Sequence, residues 1–549
     1  MFEEPGPPAG ITMPAGCLPR TRTDVFQVIE TWLKHPDEDH NILYISGSPG
    51  TGKSAIASSL VHIYSRYSVF FFFRRDSEYF RNPASVGRNL ASQLSKLQDF
   101  PILQQYLLNH IKANPSYLEK VYPLDHIKDL VLEALKQVKE EDYDQLPLVI
   151  LDALDECQEM DSQGENKRID LLKVLVEWKK LPKKCKLIVT GRSQKDIEEV
   201  LRASSKLISL PSGDIVDDTM PVYADIKLFL ESEFDKIDTM RLDHISKNAI
   251  VEQLTKQAAG LFIWAKTLVD FVGGYHGSAF DRLQEVLSKL GKHEFQDISD
   301  NKMDKLYSQI LQSVFSGLTQ KEKLVYSTVL GMLVCAEDPI SVYDLEELLT
   351  MVESGLFTSS YIKSAITAFK CVLITDGPGY LLRFCHKSFI DFVESHPEYL
   401  VIHSKRLNLQ GMTIAQLKSE WSAIACLGTL RYMNSHLHFN MAKQMSSHIW
   451  NNDDSYLAEK VDKSVNSTLK YSSRWWGKHL GDASGDGRIS LSFVQDAERL
   501  ILGEAENFFE NNLLSWLEVI SLKNLVSVTP TLLVIASQAF QVRNIYFVG

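Results

Sequence analysis

The sequence predicts an α/β fold in its N-terminal part, a parallel sheet covered by helices, followed by a largely helical remainder. Three observations predict it. Between about Thr23 and Pro211, short apolar runs alternate with longer amphipathic ones, the pattern of strands separated by covering helices. After Pro211 the strand-length runs nearly vanish and helical spacing takes over. One later hairpin, tipped by Gly and Pro, stands alone among helices.

The apolar runs, in order, are Asn41–Ile45, Val69–Phe73, Leu148–Leu151, Leu187–Thr190 and Leu207–Leu210. Each is rich in β-branched or aromatic residues and reads as a buried strand. Ala55–Tyr64 and Ile169–Leu181 supply helical spacing between them. Beyond Pro211, Ala224–Phe234, Ile250–Val272 and Phe280–Leu290 read as helices. The hairpin pairs Cys371–Thr375 with Tyr380–Cys385 around Asp376-Gly377-Pro378-Gly379, a tip that favours a tight turn. Helical stretches Tyr343–Met351 and Ser388–Val393 flank it, as in a winged helix. The rest reads as helical, ending in an extended Ile545–Val548.

Composition narrows the function. At 549 residues the chain holds about three or four domains. Its 58 Lys and Arg against 70 Asp and Glu leave a net charge of −12, which argues against a dedicated nucleic-acid or anionic-membrane binder. No apolar run is long enough to span a bilayer, and the acidic, proline-rich start is no secretory signal. The seven cysteines are scattered without a CxxC pair, consistent with a reduced, cytoplasmic (intracellular) protein lacking a zinc framework.

Gly47-Ser48-Pro49-Gly50-Thr51-Gly52-Lys53-Ser54 fits G-x-x-x-x-G-K-[ST], with a strand before it and a helix after. Its glycines let backbone N–H groups turn toward phosphates at a helix N-terminus. Lys53 would reach the β- and γ-phosphates, and the Ser54 hydroxyl would bind Mg²⁺. Leu148–Leu151 runs into Asp152-Ala153-Leu154-Asp155-Glu156-Cys157, placing carboxylates at the sheet edge where the loop opens. Asp152 is the expected magnesium-side acid; Asp155 and Glu156 are the candidate catalytic groups that polarise or hold an attacking water. Leu187–Thr190 leads to Gly191-Arg192, where Thr190 and Arg192 would sense the γ-phosphate. The lysines 179, 180, 183, 184 and 186 read as a solvated loop, not a nucleic-acid patch.

The acidic strand end with the loop upstream resembles the NACHT branch of the STAND signalling NTPases, in particular the large fungal, NLR-like group. Cys17-Leu18-Pro19-Arg20-Thr21-Arg22 resembles that group's lead-in, and Gly260-Leu261-Phe262-Ile263-Trp264-Ala265 its helical-domain motif. His386-Lys387-Ser388-Phe389-Ile390-Asp391-Phe392 resembles the segment after its winged-helix hairpin, and Tyr471–Leu480 with Leu513–Leu522 its helical arm. The expected organisation is a leader at 1–22, a P-loop nucleotide-binding domain at 23–213, a helical domain at 214–300, a winged-helix domain at 301–400 and a helical arm at 401–549.

The resemblance implies a switch. ADP would lock the nucleotide domain against the winged helix, with His386 touching the β-phosphate. Exchange for ATP would open the molecule to homo-oligomerise and engage an unknown effector or sensor protein. Such a contact, present only when closed, gives the two states different nucleotide affinity. Two departures stand out: Arg20 replaces a usual Gly in the lead-in loop, and Gly191 makes the sensor turn looser than the usual Ser. Relatives often carry an effector domain before and a WD-repeat propeller after this region. The chain is therefore expected to be either a truncated product or a core that works with another chain.

Asp482–Ser490 imitates a calcium loop but has Phe493 where the bidentate Glu belongs. Trp421, Trp475, Trp476 and Trp516 read as helix packing, and Cys157 as a packing residue. A slow ATP-driven switch leads the readings. A phosphoryl-transfer enzyme on the same scaffold, or a scaffold with a decayed nucleotide site, are its alternatives.

Overall fold

The residues from Ile42 to Leu210 build one sheet because their apolar runs alternate between its two faces. In β1 (Ile42–Gly47), Ile42 and Tyr44 enter one core while Leu43 and Ile45 enter the other, the two-residue period of a strand buried on both sides. This computed structural model describes residues 13–35, 40–113, 123–158, 166–213, 215–237, 244–274, 278–290, 302–376, 380–400, 413–444, 456–484, 497–523, 525–526 and 529–541. The leader before residue 13, the hairpin tip 377–379, most of the calcium-loop imitation and the extended end 545–548 lie outside them.

The other strands are β2 (Ser68–Phe72), β3 (Leu148–Asp152), β4 (Lys186–Gly191) and β5 (Ser205–Leu210). All pairings are parallel, in the order β2-β3-β4-β1-β5. The α/β fold class is therefore as expected from the sequence, with β4 inserted between β1 and β3. One face packs on α1 (Thr23–Lys34) and α2 (Lys53–Ile63), through Trp32, Ile56 and Leu60. The other carries Phe71, Phe73 and Trp178 under helices that include Ala84–Leu94 and a π-helical turn at Ile127–Leu132.

Four local readings change. β5 is an edge strand, bonded only to β1. Only its end residues are buried, partly buried and exposed residues alternate between them, and Leu207 is 57% exposed rather than buried. Lys186 is not in a solvated loop. It lies in β4, buried, with its ammonium 4.5 Å from the centre of the Trp32 ring, where cation–π attraction replaces lost hydration. Gly191 is likewise not a loose turn but the last residue of β4, opposite Ser46. Finally, Ile250–Val272 is not one helix. His244–Ala258 and Phe262–Val272 are separate, because Ala259 and Gly260 take φ of +45° and +81°.

By contact density the chain divides into two units, one holding residues 1–273 and 277–303, the other 274–276 and 304–549. In the second, β6 (Ile340–Ser341), β7 (Leu373–Asp376) and β8 (Leu381–Phe384) form an antiparallel sheet in the order β6-β8-β7. The expected hairpin is thus present and gains a short third strand. Helices Gln320–Cys335 and Val342–Val352 each start on a capping box, Thr319 with Glu322 and Ser341 with Asp344. Helices Ile414–His436 and Ser467–Ala483 pack together further on. Trp476 and Trp516 are fully buried there, with ring centres 6.1 Å apart, the packing role expected of them.

Gly260 is a position that only glycine fits. Besides its left-handed φ, a Cβ there would lie 2.8 Å from the Pro211 carbonyl oxygen. Gly260→Ala should therefore cost about 2 kcal/mol or more of stability, measured as a lower urea midpoint with an unchanged slope. A midpoint equal to the parent's would show that this break does not depend on glycine.

Candidate functional site

β1 ends in the glycine loop and α2 begins inside it. Gly50 and Gly52 have φ of +82° and +92°, conformations that other residues adopt only with strain. The Thr51 hydroxyl donates to the Ser48 carbonyl at 2.9 Å and is fully buried, which pins the turn. The Lys53 ammonium lies over the loop, donating to the carbonyls of Gly47 (2.7 Å) and Ser48 (2.9 Å). Burial lowers Lys53 to about 8, against the pull of Asp155 and Asp152.

The acidic strand end meets this loop through β4. Asp152 is buried and accepts the Thr190 hydroxyl at 2.5 Å; the Ser54 hydroxyl bonds the same carboxylate. Thr190 in turn accepts the Ala153 N–H at 3.0 Å. Burial raises Asp152, while the bonds from Thr190 and Ser54 and the charge of Lys53 hold it down. The chain then turns sharply: Ala153 takes φ +56° and Leu154–Glu156 form one 3₁₀ turn.

That turn aims the next two acids apart. Asp155, buried, accepts the Arg192 N–H at 3.1 Å and pairs with Arg192 Nε at 3.0 Å. Glu156, partly buried, accepts the Arg75 N–H at 3.1 Å. Burial and then the charge of Asp155 push Glu156 up to about 7, within the range that suits a general base near neutral pH. Cys157 is buried, and burial pushes its thiol to about 12, which leaves it inert as a nucleophile.

The loop's outer rim is held by residues that the motif did not point to. Arg22 is buried; its guanidinium donates to the Thr51 carbonyl at 2.5 Å and lies 4.9 Å from the Phe262 ring centre. Its own N–H bonds the buried carboxylate of Asp225 at 3.0 Å. The Ile263 N–H donates to the Gly50 carbonyl at 3.1 Å, and Ser212 Oγ donates to Ser48 Oγ at 2.8 Å. Arg22, Phe262 and Ile263 lie in segments singled out by resemblance; Ser212, Asp225 and Arg75 carried no signal, since their partners are far away in sequence. Arg20 takes φ +73°, a physical reason for glycine at that position.

All the expected residues from Gly47 to Arg192 thus gather at the carboxyl edge of one sheet. His386 is in the second unit, at the N-cap of helix Lys387–Ser395. Its Nδ1 accepts the Ser388 N–H at 3.1 Å.

A parallel sheet with a glycine loop entering a helix, and acids at the end of the strand next but one to the loop strand, defines a P-loop NTPase fold. Residues 22–192 match the family described as nephrocystin 3, N-terminal, a span that runs from Arg22 to Arg192. The chain is 20% identical over 499 residues to the vegetative incompatibility protein HET-E-1 of Podospora anserina, covering 89% of this chain and 34% of that protein. It therefore spans about a third of that relative's length. Among solved structures, a Walker-type ATPase of Pyrococcus abyssi aligns over 70% of this chain and 99% of its own, with 14% identity and a TM-score of 0.35. Cdc6p of Pyrobaculum aerophilum aligns over 71% and 98%, with 16% identity and a TM-score of 0.31. The resemblance to NACHT, NLR-like P-loop NTPases is borne out. Among the described residues no helix is long and apolar enough to cross a membrane.

Ionising Glu156 is harder in the fold than in the open chain, so its charge opposes folding. Its contribution to stability should fall as pH rises from about 4.5 to about 7, then level off. Glu156→Gln removes that term. The stability of the variant relative to the parent should rise across this window, read from urea midpoints at stepped pH. Parallel curves would place Glu156 in a solvated, unperturbed environment.

Proposed function

We propose that this chain is an ATP/ADP-dependent signalling switch of NLR type, with slow hydrolysis and nucleotide-controlled opening and oligomerisation. The observation that carries the reading is the bonded set at the sheet edge: Lys53 over the glycine loop, and Ser54 and Thr190 on the Asp152 carboxylate. The loop amides from Gly47 to Gly52 would cradle phosphates, and Lys53 would meet their outer oxygens.

The donor set fits magnesium. Ser54 and Asp152 offer a hydroxyl and a carboxylate in contact with each other, hard oxygen donors of the type the ion takes. When bound, the ion would neutralise charge on the β- and γ-phosphate oxygens. Asp152 would then be held ionised, with Thr190 fixing its orientation. Glu156, near 7, would take a proton from the attacking water. Asp155 would act at one remove, by holding Arg192 beside the γ-phosphate position.

In this reading 23–213 is the nucleotide-binding domain, 214–300 the helical domain, 301–400 the winged helix and 401–549 the arm. The β6-β8-β7 sheet with its flanking helices supports the winged helix. His386 would contact the β-phosphate of ADP in the closed state. Its Nδ1, accepting an N–H, leaves Nε2 as the protonated nitrogen of the neutral ring. Oligomerisation and the partner that reads it follow from the likeness to NLR-like proteins and belong to the proposal.

Lys53→Ala should weaken ATP binding by about 10²-fold, the scale of a charge-assisted bond to phosphate; titration calorimetry giving the parent's affinity would remove the loop from nucleotide binding. Glu156→Gln should keep ATP bound while slowing hydrolysis by about 10² to 10⁴-fold, and unchanged turnover would remove Glu156 from the mechanism. Because the charged form of Lys53 binds phosphate, affinity should also decline above about pH 8. A flat affinity from pH 7 to 9.5 would contradict that role.

A further inference from the structure

β2 and β3 leave the sheet side by side. Phe72 pairs with Asp152, and the Phe73 N–H donates to the Asp152 carbonyl at 3.0 Å. The residues that follow β2 therefore run along the turn that carries Glu156. Two of them are arginines with different fates. Arg74 is drawn inward, bonding Asp76 through Nε at 3.3 Å and Nη2 at 3.2 Å. Arg75 gives its main-chain N–H to Glu156, while its side chain is exposed and has no hydrogen bond or ion pair among the described residues. The guanidinium of Arg192, across the site, is held by Asp155. The sheet edge thus presents a fixed cation on the β4 side and an uncommitted one on the β2 side, anchored by its own backbone to the candidate base.

We propose that Arg75 is a further catalytic residue of this site, its guanidinium neutralising charge on the phosphoryl group as it transfers to water. The inference rests on the hydrolytic reading above. In the step, the water oxygen bonds the γ-phosphorus while the bond from that phosphorus to the β,γ-bridging oxygen breaks, its electron pair leaving on ADP. One water proton passes to Glu156 and from there to solvent, so that ADP and inorganic phosphate are the products. Negative charge spreads over the transferring oxygens, and a planar guanidinium matches them with paired donors. The main-chain bond to Glu156 keeps that guanidinium within reach of any phosphate whose attacking water Glu156 can hold.

Three proteins test this, the full chain and its Arg75→Ala and Arg75→Lys variants, each assayed for ATP turnover and for affinity to ADP and to ADP with aluminium fluoride. Arg75→Ala should lower kcat by about 10³-fold, leave ADP affinity within about twofold, and lose the preference for the fluoride complex. Its pH–rate limb near 7 should stay in place, because the N–H that holds Glu156 is kept. Arg75→Lys should recover part of the rate. Turnover within about threefold of the parent in Arg75→Ala would overturn the assignment, and so would a rate loss accompanied by a moved pH limb, which would make Arg75 a positioning residue for Glu156. Parent turnover no higher than the protein-free background would bring down the hydrolytic reading and this inference together.

Discussion

Buried carboxylates at the end of a hydrophobic sheet are the constraint on which the N-terminal unit depends. Asp152 and Asp155 are both buried, and a buried acid without partners would protonate or destabilise the fold. The partners come from β4. Thr190 donates to Asp152 and Arg192 pairs with Asp155, which requires β4 to lie beside the acidic strand β3, while its other edge pairs with the loop strand β1. The strand order is thus tied directly to the electrostatics of the site. Glu156, just beyond, is held by one backbone amide and has its ordinary acidity displaced toward neutrality.

The glycine loop is held from two sides. On its inner side Lys53 bridges two of its carbonyls; on its outer rim Arg22, Ile263 and Ser212 each bond it. Gly50 illustrates how close the outer segment comes, since a Cβ there would lie 2.0 Å from Ile263 Cγ2. The segment that begins after the broken helix at Gly260 is therefore in direct contact with the loop. In the proposed switch, this contact is a physical route by which loop occupancy and the helical segment influence each other, because both ends are packed and hydrogen-bonded rather than tethered.

Much of this was legible in the sequence, for identifiable reasons. The five strands announce themselves by short β-branched and aromatic runs, and the glycine loop by spacing that phosphate geometry demands. The acids Asp152, Asp155 and Glu156 follow a strand, so their place at the sheet edge could be inferred. What was hidden depends on contacts distant in sequence. Nothing local shows that Lys186 stacks beneath Trp32, that Asp225 receives the Arg22 amide, or that Arg75 reaches Glu156. The helix break at Ala259-Gly260 was hidden for another reason: the apolar spacing continues through it, and only the backbone conformation reveals it. β5 misled because an edge strand with one open face can still carry apolar residues such as Leu207.

The most direct test of the central claim, that this edge is an adenine-nucleotide site governing a switch, is to denature the purified full chain and chromatograph what it releases. Near-stoichiometric ADP is the predicted result, the ligand of the closed state. A guanine nucleotide, or an empty protein that binds neither ADP nor ATP when magnesium is supplied, would contradict it.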